Sequence, residues 1–216
     1  MTTITTTITT SALLVACGGE PGARVPPAQA SPAAEVKMDA EFPLTWTLTP
    51  QAGALSVTWH IENRTAASVW LLDEPYVPVV GGYERFPDRI TALASERDPS
   101  LLRLVRGHLR PPAGQGVAVE YTPVARALPA GASADGQATL ALPLRPWHPY
   151  YTTFPWKTAP KRASLELGVL VGDPPEGVTP WEPFVSVPDG AQLQVPSLGY
   201  VVQRQRLVAG EVKAIP

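Results

Sequence analysis

Three groups of side chains in this sequence have types and spacing suited to chemistry. The densest is Arg145-Pro-Trp-His-Pro-Tyr-Tyr-Thr-Thr-Phe-Pro-Trp156, which holds six rings: Trp147, His148, Tyr150, Tyr151, Phe154 and Trp156. Rigid aromatics supply contact area at small entropic cost, and Pro146, Pro149 and Pro155 stiffen the run, which suits it to a protein hot spot or to sugar stacking. The competing use is a cap, with Trp147, Tyr151 and Trp156 folded inward over the core. The second group is arginine: Arg85, Arg89, Arg97, Arg103, Arg106 and Arg110 stand against Glu84, Asp88, Glu96 and Asp98. Arg103, Arg106 and Arg110 offer a basic edge whose planar forks fit a carboxylate or phosphate. The plainer use is charge that blunts an exposed strand edge. The third group is His60 with Glu62, two potential zinc ligands that need partners from another strand. A solvated strand face accounts for this pair more simply, and no metal or cofactor is expected.

The chain contains no GxSxG, HExxH, phosphate-binding glycine loop, dinucleotide fingerprint or EF-hand loop. A non-catalytic protein is therefore the expectation. A hydrolase whose site is assembled from distant residues leaves no local motif, and it remains the remote alternative.

The only cysteine, Cys17, follows Leu14-Val15-Ala16 and precedes Gly18-Gly19. This run resembles the lipobox of bacterial lipoproteins. The resemblance implies that residues 1–16 are a signal peptide and that the Cys17 thiol carries diacylglycerol, with its amino group acylated after cleavage. Two or three acyl chains hold a protein stably to a bilayer, whereas one chain is marginal. Gly18 after the cysteine, where Asp would retain the protein at the inner membrane, implies the outer membrane and a domain facing the periplasm. The leader departs from the pattern at its start, where Met1–Thr10 carries seven threonines and no charge.

Residues 17–40 combine the anchor with a Pro/Ala/Gly-rich linker that has too little apolar surface to fold. No stretch approaches the roughly 20 apolar residues of a membrane helix. A net charge of −2 gives no general attraction to nucleic acid. The expected partners are the lipid bilayer, through acylated Cys17, and an envelope protein or a glycan.

The elements that position these groups are strands. The chain has 26 prolines, and their spacing leaves little room for long helices because an interior proline costs about 3 kcal/mol. Leu55-Ser-Val-Thr-Trp-His-Ile-Glu62 alternates strictly, with Leu55, Val57, Trp59 and Ile61 on the apolar face. Asn63–Ala66 then reads as the turn of a hairpin into Ser68–Asp73. Further strands are expected at 42–49, 90–95, 101–105, 117–121, 137–144, 165–171 and 200–208. Helices over 88–97 or 200–210 are the best alternatives, and both are too short to build a helical core.

About nine short strands over residues 41–216 imply one all-β domain, an antiparallel β-sandwich, with a β-barrel as the alternative. Leu128-Pro-Ala-Gly131 leading to an apolar strand, and Val57–Asn63 leading to a second strand, resemble bacterial immunoglobulin-like domains. The resemblance implies an immunoglobulin-like sandwich, and with no catalytic motif in the chain the expected use is a non-catalytic module that presents loops to a protein partner, as an assembly factor, inhibitor or immunity-type protein. The aromatic run offers the alternative, a module for carbohydrate or cell wall.

Overall fold

The alternating segment around Trp59 becomes the middle of a three-stranded antiparallel sheet. The computed structural model describes residues 39–79, 82–85, 88–111, 122–147, 150, 158–181, 185–186 and 192–216. The first sheet is formed by β1 (Leu44–Gln51), β2 (Ala54–Glu62) and β9 (Ser133–Ala141), in the order β1-β2-β9. Its register sets Trp46 against Trp59 and Trp59 against Gly136. Period-two alternation sends Leu44, Trp46, Leu55, Val57, Trp59, Ile61, Ala134, Ala138 and Leu140 inward, all buried. It sends Thr45, Thr47, Thr58, Asp135 and Gln137 outward.

The second sheet is built around β10 (Arg162–Leu170). β7 (Leu101–Arg106) pairs with it in parallel at 162–167, and β3 (Val69–Glu74) pairs antiparallel at 168–170. β13 (Gln205–Ala209) and β14 (Lys213–Ala214) also pair with β10. Residues 166 and 167 pair with both β7 and β13, and 168–170 pair with both β3 and β13. Since a strand has only two edges, β7 and β3 follow one another along one edge of β10 and β13 occupies the other. β6 (Thr91–Ala94) borders β7, and β8 (Val124–Leu128) borders β3.

Gln205 closes the junction between β7 and β3. Its amide accepts from His108 N–H at 2.7 Å and donates to His108 C=O at 2.9 Å, standing in for a strand residue. Gly168 allows this, because a Cβ there would lie 2.8 Å from the Gln205 amide oxygen and 3.0 Å from the Gly107 backbone. Two short hairpins, β4 (Tyr76–Val79) with β5 (Gly82–Arg85) and β11 (Val185–Ser186) with β12 (Gln192–Leu193), and one helix, α1 (Leu198–Arg204), complete the order among the described residues.

Apolar faces of the two sheets meet in one core, so the fold is a β-sandwich and not a closed barrel. A smaller cluster forms where Tyr200 and Val201 of α1 cover Leu72, Ala125 and Leu170, with Trp70 and Trp181 in edge contact at 4.4 Å. Cations sit over aromatic rings around the core: Arg106 over Trp59, Arg206 over Phe42 and Lys213 over Trp46.

Several expectations need correction. β2 and β3 belong to different sheets, so residues 63–66 do not close a hairpin. Asn63 redirects the chain: its buried amide donates to Ala67 O, Leu128 O and Pro129 O while its side-chain oxygen accepts from Thr65. The strand expected over 200–208 begins instead as α1, because Ser197 caps the Tyr200 N–H at 3.2 Å and starts a helical turn. The strand expected at 137–144 starts at Ser133 and ends at Ala141. β8 was not anticipated, and the expected strand at 117–121 lies outside the described residues.

Candidate functional site

Beyond β9 the chain runs through Leu142, Pro143, Leu144 and Arg145 to Trp147, which returns to the edge of β6. There Ala92 N–H donates to Trp147 O at 2.9 Å and Trp147 N–H donates to Ala92 O at 3.0 Å. This clamp and a bond from Thr139 N–H to Asp88 O at 3.1 Å tie the two sheets together across their open side. Between them lies a groove of about 440 Å³.

The groove is apolar along Ile90, Leu140, Leu142 and Leu144, with charge supplied by Arg89 and Arg145. Leu142 is 44 % exposed in this lining, and Trp147 is half-buried. The Arg89 guanidinium lies 5.7 Å from the centre of the Trp147 ring and covers one of its faces. The site therefore sets Trp and Arg, residue types enriched in protein-binding hot spots, beside apolar leucines in a concavity.

The chain enters the sandwich at the other end of the three-stranded sheet. Arg206 holds both Asp39 and Glu41 there, with the Glu41 contact at 2.5 Å. From that end β1 runs eight residues, roughly 25 Å, toward the β1–β2 turn, where Leu142 N–H bonds to Gly53 O at 2.8 Å.

Of the ring-bearing residues singled out in the sequence, Trp147 lies at the groove and Tyr150 is half-buried. His148, Tyr151, Phe154, Trp156 and the lipidation candidate Cys17 lie outside the described residues. The arginines do not form a basic edge. β7 is flanked by β6 and β10, and Arg103 on it makes a two-pronged bond to Glu166 at 2.7 and 2.6 Å, which holds the guanidinium pKa above its ordinary value. Arg106 follows Leu102 and Leu104 on the inward face, stacks on Trp59 and donates to Gln137 O across the sandwich at 3.2 Å. Arg110 is exposed beyond the end of β7.

His60 gains a third group, since its Nδ1 lies 2.8 Å from Asp135 Oδ1 while Nε2 faces Glu62 Oε1 at 4.0 Å. The two carboxylates thus flank opposite ring nitrogens and do not converge with the ring on one point. Among the described residues no three His, Cys, Asp or Glu groups are placed to share a metal ion. Glu62 is held below the usual carboxylate range, chiefly by its bond with Arg64.

Arg89, Arg145 and Leu142 are groove residues that the sequence reading passed over. Arg145 opens the aromatic run, and Arg89 belongs to the arginine group that includes Arg103 and Arg106, which lie away from the groove. No family model, curated protein or solved structure matches this chain.

Proposed function

We propose that this chain is a lipid-anchored protein of the bacterial cell envelope, held through acylated Cys17 to the outer membrane and facing the periplasm, that acts as a non-catalytic protein-binding module of assembly, inhibitor or immunity type. The observation that carries the reading is the groove of Trp147, Leu142, Arg89 and Arg145 on the open side of a rigid sandwich. Recognition commonly sits on loops that a stable scaffold positions. The immunoglobulin-like character belongs to the same reading, with Pro129–Gly131 carrying the chain from one sheet to the other. Glycan stacking has less support, because Arg89 already occupies one face of Trp147.

The test is a photo-crosslinking residue at position 142, with the exposed position 45 at the remote end of β1 as control, in cells that make the protein. A discrete adduct at 142 that disappears with Trp147→Ala supports the reading. Equal adducts at both positions, or an adduct indifferent to Trp147→Ala, contradict it.

A further inference from the structure

We infer that the three-stranded sheet is a force-carrying link, in which tension between the chain's entry at Asp39 and the groove at Leu142 loads the ladders of β1, β2 and β9 in shear. The inference rests on the anchored binding reading above and adds a mechanical demand to it. A module held to a membrane at one point and to a partner at another is pulled from those two points. β2 is antiparallel to both of its neighbours, so β1 and β9 run in the same direction on either side of it. Force arriving through Asp39 enters β1 at its first residues. Force arriving at Leu142 enters β9 at its last, since Leu142 directly follows Ala141.

Such tension separates β1 from β9 only if β1 slides past β2 or β2 slides past β9. Ladder bonds of an antiparallel pair lie across the strands, so axial tension strains them together instead of opening them one after another. Both pairings run the length of the sheet without a register shift, 44–51 against 54–61 and 54–62 against 133–141. Side chains on the outer face add ties across the strands. Thr47 Oγ1 and Thr58 Oγ1, 2.7 Å apart, join β1 to β2, and His60 Nδ1 and Asp135 Oδ1, 2.8 Å apart, join β2 to β9. At the entry, Arg206 grips Asp39 and Glu41 and covers the fully buried Phe42. Arg206 stands on β13, paired to β10 in the second sheet. This clasp keeps residues 39–42 from lifting before β1 takes the load.

The experiment is single-molecule force spectroscopy on the full-length chain produced without acylation. The chain is held by Cys17, its only cysteine, and by a second cysteine placed at one of two exposed positions. With Leu142→Cys the tension runs along the strands. With Ala66→Cys, just beyond the end of β2 that pairs with the start of β1, it peels β1 from β2. Forced unfolding reads the barrier along the pulled direction, and at one loading rate the rupture force with Leu142→Cys exceeds that with Ala66→Cys by about twofold or more. Equal melting of the two variants confines the difference to direction. Arg206→Ala lowers the force in the Leu142→Cys geometry, and an unchanged force there overturns the part given to the clasp. Equal forces in the two directions, or a lower force with Leu142→Cys, overturn the inference. That failure leaves the binding module standing, because no partner takes part in the measurement. Absence of the cellular adduct at position 142 removes the binding module and leaves the measured forces as they are.

Discussion

Replacing Trp59 with alanine tests the sandwich at its most connected point. The side chain is 3 % exposed, and its ring fills the space above Gly136, where an added Cβ would approach to 2.3 Å. The Arg106 guanidinium also lies over the ring, 5.0 Å from its centre. Removing a buried tryptophan costs about 3 to 5 kcal/mol through lost burial and the cavity left behind. Loss of the aromatic surface under a desolvated cation adds about 1 to 2 kcal/mol. A total near 5 kcal/mol approaches the whole stability of a marginal domain. It corresponds to a fall in Tm of roughly 10 to 20 °C at this size. The adjacent residue is the control: the His60 side chain is 40 % exposed, so His60→Ala should cost less than about 0.5 kcal/mol. Urea unfolding followed by far-ultraviolet circular dichroism avoids reliance on the deleted fluorophore. A Trp59→Ala loss below about 1 kcal/mol, or equal losses at the two positions, would refute the assignment of the faces of β2.

Asn63→Asp should destabilise more than Asn63→Ala, because it sets a carboxylate among the three carbonyls that now accept from the amide; denaturant midpoints check the order. Asp98 is held below its ordinary pKa of 3.8, first by the Ser100 hydroxyl and N–H and then by Arg162. A depressed folded-state pKa contributes stability that is present above the unfolded carboxylate pKa and lost as pH falls through the folded one. The stability gap between wild type and Asp98→Asn should therefore be full near neutrality and close in acid below that range; a gap that is constant with pH argues against the contact. Cys17→Ala should abolish incorporation of labelled fatty acid and move the protein to the aqueous phase of a detergent partition, while identical partitioning of mutant and wild type rules out the anchor.

What the sequence made legible was local and periodic. The inward set of β2 follows from alternation alone, and the prolines excluded a helical core. The partner of β2 was not legible, because Asn63 chooses it through carbonyls about 65 residues away, at Leu128 and Pro129. The basic edge failed for a different reason. Grouping arginines by proximity ignored the alternation that sets Arg106 on the same face as Leu102 and Leu104, so the pattern needed to place it was already present. Over residues 200–210 the strand and its helical alternative each hold in part, because the Ser197 cap starts a helix at Leu198 and the chain becomes extended at Gln205. The groove needs three pieces, Arg89 to Ala92, Thr139 to Arg145 and Trp147, and their meeting depends on one sheet-to-sheet bond and one edge clamp. Only Trp147 carried a signal in isolation.

The central claim, that an anchored sandwich meets its partner through this groove, is tested most directly by hydrogen exchange on the full-length protein in native envelope membranes compared with the purified, detergent-solubilised form. Added protection confined to residues 88–94 and 139–147, with none over 44–51, is the predicted result. Protection that falls instead on 44–51 and 54–62, or no difference between the two forms, would contradict it.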